Sequence, residues 1–493
     1  MESATITRPR PRSGLAARLR GLDSRTVARI AFALLCVGFA IGFFVYPTYP
    51  NYDSYYSLLW GREVLDGTKP VFEGFRVPTE HPLAIVAGAL LSLLGESGDR
   101  VWVGMTFVCF LLMVWGIYRL GKLAFTPLVG MIAAALLLTR FDFAFLAARG
   151  YIDVPYMALV LWAAVLEGER PRRGGPVWIL LACAGLLRPE AWLLAGLYFL
   201  WMAWPATWPQ RFRYAALAAI GPVVWAATDY AVTGDPLFSL HYTSSSAEEL
   251  GRQRTLSEIP SAVPYFFASL VKVPVLAAAA LGFVVAALIT PRRMVMPLVL
   301  LASSLGTFVL IGIAGLSVIE RYLIVGALAL LVFAAVAVGG WTMLRPGAWV
   351  RRAWMFTALA LVLFGVVFTV TRVNVTRFQN ELQFRGDAHV ALEDVLRSQP
   401  VREGLRCGPL TLPNHKLVPD SRWILDLPYS RVQARADSDV RQTRGVAIYV
   451  TSRFALFKHA LTDPADGALV QVPPPGWRRV ALSEYYAAYV HCG

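Results

Sequence analysis

The stretch IAFALLCVGFAIGFFVYPTYPNYDSYYSLLWGREVLDG, residues 30–67, joins an apolar run to a tyrosine-rich segment that carries acidic residues. The apolar run at 27–46 has about the length that an α-helix needs to cross a bilayer. Residues 54–65 are too amphipathic to cross it, and their Tyr and Trp side chains are typical of the headgroup region. The stretch therefore predicts a first membrane span followed by an interfacial helix that ends near Gly67.

The composition of the whole chain agrees with a membrane protein. Of its 493 residues, 57% are hydrophobic and only 16% are charged, whereas soluble domains are about 45–50% apolar. Charge-poor segments of bilayer-spanning length recur along the chain. The net charge of +14 is no sign of nucleic-acid binding, because Lys and Arg collect in the cytoplasmic loops of membrane proteins.

Eleven apolar runs predict a polytopic α-helical protein with about 11 transmembrane helices. The loops between them alternate in charge, which by the positive-inside rule places residues 1–26 in the cytoplasm as a basic segment and the C-terminus outside the cell membrane. The runs lie at 27–46, 101–121, 127–147, 153–167, 176–188, 190–204, 214–231, 265–290, 296–315, 323–343 and 354–373.

The last part of the chain, residues 374–493, differs in pattern from the membrane region at 27–373. It predicts strands at 421–428, 445–452 and 477–482 and an amphipathic helix at 388–398. The tail is therefore expected to be a small extracytoplasmic α/β domain. Its Cys407 and Cys492 could form a disulfide outside the cell, or could remain free thiols.

Two polar clusters frame the interfacial helix in the first outer loop, residues 47–100. Asp53 follows the first span, and Glu80 and His81 precede residues 82–94, which are apolar but short enough to predict a re-entrant or juxtamembrane helix. The clusters predict a cleft at headgroup level, in which Asp53 could act as a general base toward an acceptor hydroxyl. Taken alone, Asp53 could also be the N-cap of the helix, because Asp is favoured there.

Charged residues at the outer edges of later spans could complete this cleft. Arg149 and Asp153 are four residues apart, so within one helix they would face the same way, either as part of a site or as a structural ion pair. Arg188 and Glu190 flank Pro189 inside an otherwise apolar stretch. Ionisable residues at membrane depth are functional candidates, and the proline would expose backbone groups that need a wet cavity or protein beside them.

Two more outer segments carry candidates. Arg321, next to Tyr322, could clamp a phosphate through its guanidinium fork, or could simply extend its charge to the headgroup region. The loop at 233–254, which includes Arg252 and Arg254, could close over a substrate or merely connect two helices.

Familiar nucleotide and metalloprotease motifs are missing from the sequence. It has no Walker loop, no GxGxxG between a strand and a helix, and no HExxH, so a soluble nucleotide-binding domain is excluded. If the chain is a transferase, its donor would arrive through the membrane as a lipid phosphate, held by Arg188 or Arg321.

The order of these features resembles the C-type integral-membrane glycosyltransferases (GT-C), especially the protein O-mannosyltransferases and the lipid A aminoarabinose transferase. Those enzymes carry an acidic residue just after the first helix and an H-P-P-L or K-P-P-L element later in the same loop. Here YDSYY supplies Asp53, and EHPL supplies Glu80 and His81. LLRPEAWLL and ERYL are similar to a basic helix break and a late Arg–Tyr pair of the family. RPE and TGDPLFSL also resemble elements of actinobacterial cell-wall mannosyl- and arabinosyltransferases.

The resemblance implies sugar transfer on the outer face of the cell membrane, from a polyprenyl-phosphate donor to a glycan, lipid or protein acceptor, in envelope biogenesis. Mannose or arabinose would be transferred with inversion, and Asp53 would be the base. The leaving phosphate would need charge stabilisation from arginines more than an acid. The residues expected to bind substrate or phosphate are Glu80, His81, Arg149, Asp153, Arg188, Glu190, Arg321 and Tyr322.

A metal and a second function are left open. Ser54 follows Asp53 where a second acid would favour a metal-dependent site, so a divalent metal is neither required nor excluded, and no other cofactor is indicated. The alternative function is a multi-pass transporter or flippase of a lipid-linked or anionic substrate. Transporters commonly contain internal repeats, whereas here no repeat is present and the charges gather at the outer edge. A transferase site requires Asp53, His81, Arg188 and Arg321 to converge in one cavity.

Overall fold

The computed structural model of the protein describes residues 24–249, 257, 259–372, 375–453 and 473–493. Most of the basic segment predicted at 1–26 lies outside the described residues, as do Arg252 and Arg254. The described chain is mostly α-helical.

Sixteen described helices precede residue 373, together with a 3₁₀ turn at Glu320–Leu323. Helix starts follow the sequence: Thr126 caps α5 ahead of Pro127, and Thr207 forms a capping box with Gln210 at the start of α10. The helices are α1 (Ser24–Val45), α2 (Tyr52–Leu65), α3 (Pro82–Ser92), α4 (Gly98–Ala124), α5 (Pro127–Leu138), α6 (Phe141–Ala148), α7 (Asp153–Glu169), α8 (Gly175–Leu187), α9 (Glu190–Ala203), α10 (Trp208–Thr233), α11 (Phe238–Glu249), α12 (Ile259–Val271), α13 (Val273–Ile289), α14 (Val295–Ile313), α15 (Ile324–Gly339) and α16 (Trp349–Arg372).

Six of the described helices are long and apolar enough to cross a membrane, and the number rises to eight if each of two bent pairs is one span. The pair α5 and α6 bends by 64°, and the pair α12 and α13 bends by 107° at Lys272, whose φ is 71°. All eleven apolar runs are helical over most of their length. Helices α8 and α9 are shorter than a full span, so the count of eleven spans stays a prediction.

Helix α15 lies at the centre of the membrane region. Its sequence, IVGALALLVFAAVAVG, has no polar side chain. In the most apolar 18-residue segment of Glu320–Met343, which includes this helix, 94% of the residues are buried within the protein. It packs against α13 so closely that a Cβ at Gly282 would lie 1.8 Å from the carbonyl oxygen of Phe333. A helix that is apolar on all faces must be surrounded by protein or by lipid, and α15 is surrounded by protein.

The interfacial segment forms α2, and the short apolar segment after His81 forms α3. The two helices meet at a pair of glycines. A Cβ at Gly61 would lie 2.1 Å from the backbone nitrogen of Ala89, and one at Gly88 would lie 2.2 Å from the carbonyl oxygen of Ser57. This close approach fixes α2, and with it Asp53, against the membrane region.

The tail contains α17 (Val375–Arg397), α18 (Gln399–Gly404), α19 (Val418–Leu425) and a five-stranded sheet of order β2-β1-β3-β5-β4. The three central strands pair parallel (β1 with β3) and antiparallel (β3 with β5). The strands are β1 (Leu410–Leu412), β2 (Val432–Ala434), β3 (Gly445–Val450), β4 (Arg478–Leu482) and β5 (Tyr486–His491). We call these helices and strands the C-terminal unit.

The strand predicted at 421–428 is wrong, because those residues lie mainly in α19. Helix-starting signals outweigh the apolar WIL run: Pro419 and Asp420 lie in the first turn, where both residue types favour a helix. Asp426 then ends the helix in the left-handed conformation. The segments expected as strands at 445–452 and 477–482 contain β3 and β4.

The C-terminal unit rests on α2 and is closed by a disulfide. Arg422 donates to Glu63 at 2.5 Å, and Arg62 pairs with Asp426 at 2.7 Å. Cys407 and Cys492 form the disulfide, with their Cα atoms 5.2 Å apart. It joins the end of β5 to the segment that leads into β1.

Gly88→Ala tests the glycine contact between α2 and α3. The added methyl would collide with backbone rather than with a movable side chain, so we expect the free energy of unfolding to fall by about 1–3 kcal/mol. Chemical unfolding in detergent measures the loss. The control is Gly196→Ala in α9, where a Cβ would meet nothing within 4 Å and the helix should gain about 0.5–1 kcal/mol. Equal effects at both positions would contradict the close contact.

Candidate active site

One cavity of about 1060 Å³ lies where α2, α10, α11 and the C-terminal unit meet. The break between α8 and α9 and the 3₁₀ turn at Glu320–Leu323 also border it. The predicted site residues that line the cavity are Asp53, His81, Arg149, Arg188, Glu190, Arg321 and Tyr322. Glu80 and Asp153 are buried just behind its wall, at 0% and 1% exposure.

Asp53 lies in the first turn of α2 but is not the N-cap of the helix. The cap is Asn51, whose side chain accepts from the backbone N–H of Ser54 at 3.1 Å. Asp53 Oδ2 instead accepts from Arg321 Nη1 at 3.3 Å, and its side chain keeps 19% exposure. The carboxylate is therefore free of the capping role and faces the cavity.

A buried network of charges stands behind Asp53. Arg321 donates two hydrogen bonds to Asp153, from Nε to Oδ1 at 2.8 Å and from Nη2 to Oδ2 at 2.9 Å. Arg188 donates to Asp153 Oδ1 at 2.7 Å and to Glu190 Oε1 at 2.9 Å and 2.5 Å. Including Asp53, three carboxylates therefore surround two guanidinium groups.

The two arginines differ in their access to a ligand. The side chain of Arg188 is only 6% exposed, and all three of its nitrogens donate to carboxylates. The Arg321 side chain is 31% exposed, and its bond to Asp53 is longer than its two bonds to Asp153. Arg321 is therefore better placed to bind a ligand, and Arg188 holds Asp153 and Glu190 in position.

Arg149 and Asp153 do not form the ion pair that their spacing allowed. Arg149 follows the last residue of α6 and Asp153 begins α7, so the two do not share a helix face. The Arg149 guanidinium lies 3.6 Å from the ring centroid of Tyr49 and donates to the Tyr49 carbonyl at 3.2 Å. Tyr322 lies beside Arg188, whose guanidinium is 5.9 Å from its ring centroid.

Glu80, in the first outer loop, belongs to a second carboxyl pair, whose other member is Asp229 of α10. It accepts from the hydroxyl of Ser239, which also contacts Asp229 Oδ1 at 2.9 Å and accepts from the indole N–H of Trp225 at 2.9 Å. One hydroxyl proton cannot serve two carboxylates. Burial raises the pKa of Glu80 to about 8, and the neighbouring Asp229 adds to the shift, so Glu80 carries a proton at neutral pH.

His81 lies in the cavity wall as a neutral ring. Burial, with the charges of Arg188 and Arg321, holds the pKa of His81 well below its usual range. Its Nδ1 is buried with no hydrogen-bond partner in the described structure, and its ring packs edge-on against Trp225 at 5.6 Å. A ligand hydroxyl could donate a hydrogen bond to that nitrogen.

The segment after residue 233 borders the cavity rather than only connecting two helices. Leu237, Ser239 and Tyr242, from the start of α11, are among its lining residues. The hydroxyl of Tyr242 donates to the carbonyl of Gly74 at 2.9 Å, and the hydroxyls of Thr79 and Thr243 lie 3.1 Å apart. Helix α11 is thereby fastened to the first outer loop above the charged network.

The lining of the cavity contains both apolar and polar residues, which come from different parts of the chain. Its apolar lining comes from α9, α10 and α14 and includes Trp192, Leu193, Pro222, Leu310, Ile311 and Ala314. Its polar lining comes from the first loop and the C-terminal unit and includes Tyr52, Arg76, Arg385, His415, Lys416 and Asp420. Such a lining suits an amphipathic ligand.

Several lining residues escaped the sequence analysis. Asp229, within the apolar run at 214–231, could have been found, because an ionisable residue at that depth is a functional candidate by default. Arg76, Arg385 and Lys416 lie in polar segments where their types give no signal. In the described part of the chain, no group of three or more His, Cys, Asp or Glu side chains could hold a metal ion.

This arrangement of helices is similar to that of solved structures of ArnT. The apo structure of ArnT from Cupriavidus metallidurans, an aminoarabinose transferase, superposes with a TM-score of 0.50 at 15% identity, covering 94% of this chain and 98% of that one. The structure of the same protein bound to undecaprenyl phosphate gives a TM-score of 0.50 at 11% identity, covering 93% and 98%.

An oligosaccharyltransferase from Archaeoglobus fulgidus in the apo form also matches, with a TM-score of 0.41 at 12% identity, covering 79% of this chain and 61% of that one. No protein-family model matches the chain, and no curated protein sequence matches it significantly. At these identities the likeness to ArnT establishes the fold.

Arg188→Gln tests the buried network. The substitution leaves Asp153 with a single arginine and Glu190 with none, so we expect a loss of about 3–5 kcal/mol in the free energy of unfolding. The control is Arg173→Gln, which removes a half-exposed ion pair with Glu169 at 3.5 Å and should cost at most about 1 kcal/mol. Chemical unfolding in detergent separates the two, and equal losses would contradict a structural role for Arg188.

The Glu80–Asp229 pair makes stability depend on pH. Because the folded-state pKa of Glu80 is raised above its unfolded value, the folded protein binds the extra proton and stability falls as pH rises from below 5 through about 8. Glu80→Gln should flatten this slope in melting temperature measured against pH. Glu73→Gln, at an exposed position of the same loop, should keep the wild-type slope. A slope unchanged in Glu80→Gln would show that other groups cause it.

Proposed function

We propose that this protein is a membrane glycosyltransferase that moves a sugar from a polyprenyl-phosphate donor to an acceptor hydroxyl on the outer face of the cell membrane. One observation carries the proposal. Asp53, held by Arg321 at 3.3 Å, lines a single cavity whose apolar residues suit a lipid chain and whose polar residues suit a hydrophilic acceptor. The GT-C fold supports it.

The donor would lie with its isoprenoid chain against the apolar lining from α9, α10 and α14. Ligands of this kind are consistent with the fold, because ArnT of the same fold has been solved with undecaprenyl phosphate bound. The donor phosphate would face Arg321, the more exposed of the two arginines. Arg149 offers a further cation in the cavity lining.

The chemistry follows from the position of Asp53. The acceptor oxygen attacks the anomeric carbon from the side opposite the phosphate, so a new C–O bond forms as the bond to the phosphate oxygen breaks. The acceptor proton passes to the Asp53 carboxylate, and the bonding electrons leave with the polyprenyl phosphate. The configuration at the anomeric carbon inverts. The phosphate attracts Arg321 away from its weaker contact with Asp53, which frees the base as the donor binds.

Arg188, Glu190 and Asp153 would position the site. Asp153 orients Arg321 through two hydrogen bonds of 2.8 Å and 2.9 Å, and Arg188 neutralises Asp153 from behind. The unpartnered Nδ1 of His81 would accept from an acceptor or sugar hydroxyl. Tyr322 would close the wall beside them.

The finer assignments belong to the same proposal. We assign residues 27–373 to a membrane domain of eleven spans with its N-terminus in the cytoplasm, and residues 374–493 to an extracytoplasmic domain that covers the acceptor side. The Cys407–Cys492 disulfide supports that side, because disulfides persist in oxidising compartments. Mannose or arabinose, and a glycan, lipid or protein acceptor of the envelope, follow from the motif resemblance.

Asp53→Asn tests the base. Purified protein would be incubated with radiolabelled polyprenyl-phosphate mannose or arabinose and a membrane extract as acceptor, and transfer should fall by about 10²–10⁴-fold. The control is Asp66→Asn, at the other end of α2 and on its exposed C-cap, which should keep the wild-type rate. Undiminished transfer by Asp53→Asn would remove Asp53 from the role of base.

The same assay separates the transferase from a transporter or flippase. A transferase consumes the donor and labels the acceptor in detergent, where no two compartments exist. A flippase moves the lipid-linked sugar only across a sealed bilayer and leaves it intact. Movement of intact donor in vesicles, without acceptor labelling under any condition, would favour the transporter.

A further inference from the structure

A second cavity, of about 320 Å³, lies between the start of α1 and the end of α4. It is far from the candidate active site. The beginning of α4 is at the outer side, where the hydroxyl of Tyr55 donates to Asp99 at 3.0 Å. Lys122, which lines the second cavity, comes 23 residues later, roughly 35 Å along the helix axis. The cavity therefore lies at the opposite membrane surface.

Four cations from two helices face this cavity: Arg25, Arg29, Arg119 and Lys122. No Asp or Glu is among the described residues that line it. Arg119 does contact Glu169 nearby, but Glu169 also pairs with Arg173 at 3.5 Å. Like charges gathered around one space repel one another at this range, so an anion within the cavity would relieve the repulsion.

The spacing of the cations explains how they come together. Arg25 and Arg29 are four residues apart on α1, and Arg119 and Lys122 are three apart on α4, so each pair lies on one helix face. Trp115 and Tyr118 continue the same face of α4, and their ring centroids are 5.0 Å apart. The cavity therefore has a basic rim and an aromatic floor.

The hydroxyl of Tyr118 points to a ligand. Tyr118 is only 4% exposed, yet its hydroxyl oxygen is buried without a hydrogen-bond partner in the described structure. A buried hydroxyl without a partner costs stability. A phosphate oxygen in the cavity would accept its proton while the basic rim balances the charge.

Helix α1, which supplies Arg25 and Arg29, is also exposed to the bilayer. Val27, Ile30 and Leu34 expose 43%, 48% and 67% of their surface on this helix. Helix α1 is a candidate membrane span, and only 6% of its 18-residue apolar segment is buried within the protein. These side chains therefore face the bilayer. These three residues lie on a different face of α1 from Arg25 and Arg29, so the acyl chains of a lipid whose phosphate is in the cavity would lie in the bilayer beside α1.

We propose that this cavity binds the headgroup of an anionic phospholipid at the membrane surface opposite the active site. The phosphate lies against Arg25, Arg29 and Arg119, and the hydroxyl of Tyr118 donates to it. Basic pockets between membrane helices on the cytoplasmic side hold lipid headgroups in this manner. The site is independent of the proposed sugar transfer.

Native mass spectrometry of the full-length protein tests the site. The protein, purified in neutral detergent, would be titrated with phosphatidylglycerol and with phosphatidylcholine of the same acyl chains. We expect retained phosphatidylglycerol and little phosphatidylcholine. Arg25→Gln with Arg29→Gln should weaken phosphatidylglycerol binding by about 25-fold, at about fivefold for each cation removed.

Two matched variants keep the result interpretable. Arg292→Gln with Arg293→Gln removes two exposed cations from the turn between α13 and α14, outside the cavity, and should leave binding unchanged. Tyr118→Phe removes a hydroxyl that has no hydrogen-bond partner among the described residues, so the melting temperature without lipid should not fall, while lipid binding weakens about two- to tenfold. Tyr118→Phe also carries the test if the double arginine variant does not fold.

Three outcomes would overturn the proposal. Equal loss of binding in the Arg292 and Arg293 control would mean that surface charge in general, and not the cavity, retains the lipid. Equal retention of phosphatidylcholine would remove the selectivity for anions. Displacement of phosphatidylglycerol by inorganic phosphate at equal concentration would show a site for free phosphate in place of a lipid site.

Discussion

The side chain of Asp153 connects the parts of this structure that no single helix could bring together. It begins α7, accepts from Arg188 at the break between α8 and α9, and accepts from Arg321 in the turn before α15. Taking such charges out of water is costly unless each has partners, so the break and the turn must both face Asp153. Asp53 in turn is held by Arg321, the more exposed of the two arginines in this network.

Helix α2 and the C-terminal unit cover the cavity in front of this network. Helix α2 lies across the membrane region because Gly61 and Gly88 allow its backbone to approach α3. The C-terminal unit rests on α2 through Arg422 and Glu63, and brings Arg385, His415 and Lys416 to the polar side. The apolar side needs no such covering, because it is made by α9, α10 and α14 within the membrane region. An amphipathic ligand would therefore meet two walls of different origin.

The buried carboxyl group of Glu80 holds a proton at a pH where most Glu side chains are ionised. The hydroxyl of Ser239 has one proton, which it can donate to Glu80 or to Asp229 but not to both. Burial raises the pKa of Glu80, so Glu80 carries a proton of its own. The hydrogen bond between Ser239 and Glu80 joins α11 to the first outer loop. His81, the next residue, stays neutral because the two arginines and burial both oppose a positive charge there. Burial thus shifts the pKa values of these two neighbours in opposite directions, and it leaves both side chains uncharged.

The sequence by itself determined the helical membrane fold and identified Asp53, His81, Arg188 and Arg321 as candidates, because apolar run length and isolated charges depend on local composition. Residues 54–65 are helical as predicted, but Tyr55, Tyr56 and Trp60 are buried in protein and do not face the headgroup region. The sequence could not determine the span count, since the bends at α5–α6 and α12–α13 depend on packing. Nor could it decide whether Asp53 caps α2, because Asn51 is as good a cap and only the folded chain shows which one is used. The pairing of Asp153 with Arg188 and Arg321, rather than with Arg149, was likewise decided by tertiary structure, since the partners come from chain segments up to 168 residues apart.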